Sequence, residues 1–156
     1  MAVLQHLEAL SDAGFLNLYE TLTERGFGPL DGEVAKALKF RPQAIRKLPI
    51  AKRAHQARRL LLRDANAELA YELFGTYLMR DKKELITRFL DATGVPHDDG
   101  MLEDIGNEPD AAKLESAVTE LDGDFPPEDV TLYLVMCVEQ WPGSKALGDL
   151  LTKRTS

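Results

Sequence analysis

The sequence PPEDVTLYLVMCVEQW, residues 126–141, contains the longest apolar run of the chain, residues 132–138. Its β-branched residues leave a strand as one interpretation. Two prolines followed by two acids are typical of a helix start, because proline needs no N–H in the first turn and acids favour the helix N-terminus. No partner strand is evident elsewhere in the sequence. The stretch therefore predicts a helix, apolar nearly all round and the most buried of the chain.

The other segments of the chain repeat apolar residues at helical spacing. Phe15, Leu18, Tyr19 and Leu22 occupy positions i, i+3, i+4 and i+7, which places them on one face of a helix. Glycines and prolines separate such segments at the places where helices end and begin. A length of 156 residues suits one hydrophobic core. We therefore predict one all-α domain over residues 1–156, compact and built of about eight to ten helices.

Two segments of the chain resemble each other at an offset of 68 residues. Residues 22–34 (LTERGFGPLDGEV) and 90–102 (LDATGVPHDDGML) share a leucine, a glycine, an Asp-Gly pair and a final apolar residue. One interpretation is two pseudo-repeated helical units. The other is the ordinary recurrence of glycine caps and proline starts in a helical protein.

Charge is distributed unevenly along the sequence. The formal net charge is −7, yet residues 36–63 hold ten of the nineteen bases and no acid. The basic helical segment 31–65 carries ten bases and three acids, and the acidic helical segment 66–156 carries eight bases and nineteen acids. Such asymmetry predicts either an external anionic partner for the basic segment or ion pairing between the two segments.

Residues 33–48, EVAKALKFRPQAIRKL, resemble a helix-turn-helix motif. The resemblance implies that Gln43, Arg46 and Lys47 would face bases or phosphates in the major groove of DNA. Two features depart from the motif. Lys39 stands where a glycine usually forms the turn, and a proline ends the second helix after seven residues. The alternative interpretation is two short helices joined by a tight turn.

A longer basic helix follows, from Pro49 to about Arg63, with small apolar residues on one face. Lys52, Arg59 and Arg63, which we call the basic stripe, fall on the opposite face, and the helix also carries Arg53, His55 and Arg58. The stripe together with Arg46 and Lys47 forms our candidate binding site, the basic patch. The basic helix has three interpretations: it binds phosphate groups, its charged face is only solvated, or its bases form salt bridges with the acidic segment.

Residues with catalytic chemistry are few and scattered. Cys137, the only cysteine, lies in the most apolar segment, so we expect a core residue and neither a nucleophile nor a disulfide. The acidic loop at residues 97–104, with His97, Asp98, Asp99, Glu103 and Asp104, is the best metal candidate, but its spacing matches no EF-hand. We expect no catalytic residues, no metal and no cofactor.

These observations favour a non-catalytic helical domain that acts through protein–protein interaction or self-association. A nucleic-acid-binding regulator that uses residues 36–63 is the alternative, which the acidic remainder of the chain disfavours. We expect a cytoplasmic protein, because the N-terminus lacks the charge and apolar core of a secretion signal. We expect no membrane span, because the apolar run at 132–138 is shorter than the roughly 20 residues of a span. We expect no binding to a membrane surface either, because the apolar face of the basic helix is made of alanines and lacks aromatic anchors.

Overall fold

A computed structural model of the chain describes residues 2–24, 47–104 and 106–155. These residues form eight α-helices, two short 3₁₀ helices and one hairpin of two-residue strands, which confirms the all-α prediction. Contacts divide the chain into two compact units, Val3–Tyr77 and Leu78–Ser156. The prediction of a helix-turn-helix falls almost entirely outside the described residues, as does most of the first copy of the suspected repeat, so no repeat is shown.

The first unit consists of helices. They are α1 (Ala2–Ala9), α2 (Asp12–Glu24), α3 (Ile50–Leu61), a 3₁₀ turn (Asp64–Asn66) and α4 (Ala67–Asp81), whose last residues belong to the second unit.

Helix α2 packs its apolar face against α3. The hydroxyl oxygen of Ser11 accepts a hydrogen bond of 2.9 Å from the backbone N–H of Gly14 and so caps the start of α2, a common role of serine. Phe15, Leu18 and Tyr19 are buried on one face of the helix. The buried residues of α3 include two alanines, which permit close approach of the two helix backbones.

The guanidinium group of Arg58 on α3 ties the end of α1 to the start of α2. Its Nη2 donates to the backbone carbonyls of Leu7 and Glu8, both at 3.2 Å, and to that of Leu10. Its Nη1 donates to the Asp12 carboxylate at 2.8 Å. The last carbonyls of a helix lack intrahelical partners, and a positive charge favours that end of the helix dipole. Arg58 therefore caps α1.

The second unit contains a hairpin and the remaining helices. They are α5 (Lys83–Thr93), β1 (His97–Asp98), β2 (Met101–Leu102), a 3₁₀ turn (Ala111–Lys113), α6 (Leu114–Asp124), α7 (Pro127–Gln140) and α8 (Lys145–Thr155).

Helix α7 is the stretch at residues 126–141, and the structure confirms that it is a buried helix. It has eight buried residues, more than any other described helix whose burial is known throughout. Pro127 occupies its first turn, as predicted. The Tyr133 ring meets the edge of the Phe89 ring from α5 at a centroid distance of 5.1 Å. Asp129, buried in the first turn, lies 3.4 Å from Nζ of Lys82.

The segment after α5 is a hairpin and not the acidic loop predicted from the sequence. Strands β1 and β2 pair in antiparallel register, and the two residues between them, Asp99 and Gly100, have φ angles of 51° and 92°. Asp-Gly between short strands is a strong signal for a turn in which both residues have positive φ. The sequence contains that signal, but the strands are too short to show alternation.

The helix caps of this unit agree with the sequence in part. Gly94 ends α5 in a left-handed conformation with φ 75°, as predicted from its glycine stop. The Ser144 hydroxyl accepts a hydrogen bond from a backbone N–H in the first turn of α8. Asp81 and Glu84 have the spacing of a capping box, but no such box forms, because Asp81 ends α4 and Lys82 is the cap residue of α5.

Arg154 on α8 joins the end of α6 to the start of α7. Its two terminal nitrogens donate to the two carboxylate oxygens of Asp122 at 2.7 and 2.5 Å. Nε donates to the hydroxyl of Thr131 at 2.6 Å, and Nη2 to the carbonyl of Pro127 at 3.1 Å. A bidentate pair fixes the orientation of both side chains, so this one arginine orders three helices.

We expect the Arg58→Met substitution to lower the free energy of unfolding by about 2 kcal/mol, the usual contribution of hydrogen bonds from a charged group. Arg59→Met is the matched control, because it removes the same charge from an exposed neighbour on the same helix. Its effect should stay within about 0.5 kcal/mol. Urea denaturation followed by circular dichroism measures both, and equal effects would contradict the capping role.

Candidate functional site

The exposed bases of α3 and its flanks form the candidate site. Lys47, Lys52, Arg59 and Arg63 are exposed, and none of them makes an ion pair with another described residue. Lys52 and Arg59 lie seven residues apart on α3, which is two turns or about 10 Å along the helix. Arg46, the fifth member of the predicted basic patch, lies outside the described residues.

Two other bases of the same helix have structural contacts. Arg58 caps α1, and its side chain is only 16% exposed. The guanidinium carbon of Arg53 lies 6.0 Å from the centroid of the Tyr19 ring, within the range of a cation–π contact. The structure thus separates the lysines and arginines of α3 into two that contact the fold, Arg53 and Arg58, and two that face solvent, Lys52 and Arg59. Arg63, the third member of the basic stripe, is exposed beyond the helix, which ends at Leu61 and not at about Arg63 as predicted.

A groove of about 270 Å³ lies between α2 and α3. We call it the α2–α3 groove. Its apolar lining comes from Ala13, Phe15 and Leu16 of α2 and from Ala51 and Ala54 of α3, with His55, Asp12 and Arg58 at its polar parts.

One exposed leucine extends the apolar surface of α3. Leu62, directly after the helix, is 37% exposed, one of two large apolar side chains exposed among the described residues. Sequence reasoning missed this surface. The spacing of Ala51, His55, Arg58 and Leu62 indicates a shared helix face, but nothing in the sequence shows that α2 forms the opposite wall.

The ring of His97, from the predicted metal loop, is held at both nitrogens. Nδ1 accepts a hydrogen bond of 3.0 Å from the backbone N–H of Gly100, so the neutral ring carries its proton on Nε2, which lies 2.7 Å from the Asp91 carboxylate. In this conformation neither nitrogen is available to abstract a substrate proton or to bind a metal. The ring instead fastens the hairpin to the end of α5.

Two acids of the same loop are also engaged in the fold. Asp99 forms an ion pair with Lys83, and the Asp104 carboxylate accepts a hydrogen bond of 2.8 Å from the backbone N–H of Gly106. Across the described parts of the chain, no three His, Cys, Asp or Glu side chains are grouped so that they could hold a metal ion.

Cys137 is a core residue of α7, as the sequence predicts. It is 2% exposed. Burial raises the pKa of its thiol to about 12, and a hydrogen bond with Tyr133 lowers it by a smaller amount. A thiol with so high a pKa forms almost no thiolate at neutral pH and is therefore a poor nucleophile.

The chain matches no protein-family model, no curated protein and no solved structure. In the described ranges, no helix has both the length and the apolar character required to cross a membrane.

We expect native Cys137 to resist a thiol reagent such as Ellman's reagent at mildly alkaline pH, because the sulfur is buried and protonated. The same protein in urea should react at once with one equivalent, since the chain has a single cysteine. Absorbance of the released thiolate follows both reactions. A native rate equal to that of the unfolded chain would show that the thiol is accessible.

Stability should depend on pH through His6. The ring packs edge-on against Phe74 at 6.2 Å, and burial lowers the pKa of its imidazole below the ordinary 6.5. The unfolded chain therefore takes up a proton before the folded chain does, so stability is complete above pH 6.5 and falls as the pH drops through that value. His6→Leu should reduce this loss.

Urea denaturation of wild type and His6→Leu at a series of pH values between about 8 and 5 measures how much stability each protein loses on acidification. At the alkaline end the imidazole is neutral in both states, so that point serves as the internal control. If the free energy of unfolding depends on pH with the same slope in both proteins, His6 makes no contribution.

Proposed function

We propose that this chain is a helical interaction module, without catalysis of its own, that binds an acidic protein surface through the basic patch. The observation that carries the proposal is the exposure of Lys47, Lys52, Arg59 and Arg63 without an ion-pair partner among the described residues, in a chain of net charge −7. The backbone of α3 is already ordered, so binding through Lys52 and Arg59 would order only their side chains. Complementary charge then gives fast and oriented association.

An acidic protein surface fits the exposed bases better than a nucleic acid does. Residues 78–156 carry eight bases and seventeen acids, a charge that repels a polyanion such as duplex DNA over long distances. Among the described residues, no Phe, Tyr or Trp side chain is exposed for stacking on bases. The groups that resemble catalytic ones, His97 and Cys137, have hydrogen-bonded or buried reactive atoms, which supports the non-catalytic part of the proposal.

We also propose a cytoplasmic location for this interaction. The support is the single cysteine, which cannot form an intramolecular disulfide and lies buried in α7. A reducing compartment is consistent with that state.

The test reverses the charge of the basic stripe. The triple variant Lys52→Glu, Arg59→Glu, Arg63→Glu should lose proteins that the wild type recovers in a cross-linked pull-down at low salt. The control variant Lys113→Glu, Lys145→Glu, Lys153→Glu has the same net charge and also changes exposed lysines, and it should recover them. Added salt should release them from wild type. Equal recovery by all three proteins would overturn the proposal.

The nucleic-acid alternative is tested with the same variants. Fluorescence anisotropy with labelled duplex DNA at about 50 mM salt should show no binding by micromolar protein. Binding with a steep salt slope that falls by about one unit for each base removed from the stripe would establish the alternative instead. Light scattering of the purified chain at low salt identifies self-association.

A further inference from the structure

The α2–α3 groove and the basic stripe lie side by side, and we infer that together they dock one amphipathic helix of the partner. Apolar side chains of that helix enter the groove, and its acidic side chains meet the stripe. The inference rests on the proposed function, because the proposed function supplies the acidic partner.

The size of the groove favours side chains over a whole small molecule. Its volume of about 270 Å³ is just below the range of roughly 300–1,000 Å³ that small-molecule pockets occupy. Ala13 and Ala51 are both exposed, and their small side chains leave the space between the two helices open to solvent. Such a groove accepts two or three aliphatic side chains from a neighbouring chain.

The helical register of α3 places the stripe beside the groove. Ala51, His55, Arg58 and Leu62 recur at intervals of three or four residues and share one face of the helix. Lys52 and Arg59 directly follow Ala51 and Arg58, which moves them about 100° round the helix axis. Arg63 lies two residues beyond the end of α3. Lys52 and Arg59 therefore lie along the margin of the groove.

The shape of this surface matches a helix rather than an extended strand. From Ala51 to Leu62 the face extends about 16 Å, which corresponds to three turns of a docked helix. An extended peptide binds by adding to the edge of a sheet, and the described residues of the first unit form helices. Exposed Leu62 provides an apolar contact at the end of the face.

A second copy of the chain is a poorer occupant than a foreign helix. The acidic helices α5 and α6 already bury their apolar faces, so a second copy could offer acids from them but no apolar side chains. The buried residues are Leu85, Ile86, Phe89 and Leu90 of α5 and Leu114, Ala117, Val118 and Leu121 of α6. Among the described residues of the second unit, Met101 is the one large apolar side chain that is exposed, and a single side chain does not fill the groove. Another protein is therefore the better occupant.

The experiment uses three labelled peptides about 16 residues long, which is long enough to follow the face. One carries leucine on one helical face and glutamate on the other, the second has the same composition in scrambled order, and the third has lysine in place of glutamate. Fluorescence anisotropy with the full chain should show binding of the first, at least about tenfold weaker binding of the second, and none of the third. Failure of the first peptide to bind would overturn the inference.

Variants then separate the groove from the charge. Ala51→Trp fills the groove without changing charge and should weaken binding of the acidic amphipathic peptide by about tenfold, while Ala112→Trp, at an exposed alanine of the second unit, should not. Ala13→Trp fills the groove from the α2 side and serves if the first variant unfolds. Circular dichroism verifies the fold of each.

The two proposals fail in different ways. If charge reversal of the stripe abolishes binding while both tryptophan variants bind normally and the scrambled peptide binds equally, the docked helix is excluded and the acidic partner remains. If the tryptophan variants lose binding and charge reversal does not, the proposed function is overturned. The pull-down with the charge variants decides the proposed function independently of any peptide.

Discussion

The first unit depends on one guanidinium group placed where two helices meet. Between the end of α1 and the start of α2 there are only two residues, so the carbonyls at the end of α1 have no room for a glycine cap. Arg58 reaches across from α3 and hydrogen-bonds them. Because the same group binds the Asp12 carboxylate, it fixes the angle at which α2 leaves α1 and holds both against α3.

The second unit has an equivalent arrangement at the junction of α6 and α7. Arg154 binds the Asp122 carboxylate and the hydroxyl of Thr131, so the last helix of the chain fastens the two before it. In both units an arginine distant in sequence bridges two helices that a short connection joins. Arg58 does so through carbonyls at a helix end, whereas Arg154 binds mainly side chains. Arginine suits this role because its five donors lie in one plane and keep their charge.

The candidate site is defined by the difference between bases that are bound to the fold and bases that face solvent. Neighbouring residues Arg58 and Arg59 have the same chemistry, yet one has most of its donors bound to the fold and the other faces solvent. The difference follows from the helical period, which turns successive side chains by about 100°. The proposed docking surface rests on the combination of these solvent-facing bases with the apolar lining of the neighbouring groove.

The sequence by itself determined the helices and the segregation of charge. The apolar period, the proline start of α7 and the caps at Ser11, Gly94 and Ser144 are local patterns, and local patterns fix backbone conformation over a few residues. The hairpin turn at Asp99 and Gly100 was also encoded locally, but strands of two residues are too short to show the alternating apolar pattern by which strands are predicted.

Only the tertiary structure decided which bases are free. Arg58 and Leu7 are separated by 51 positions, and no local pattern relates residues so far apart. The α2–α3 groove likewise arises from two helices whose connection in sequence says nothing of their contact. Both features depend on tertiary packing, because packing brings Arg58 to the carbonyls of α1 and places α2 beside α3.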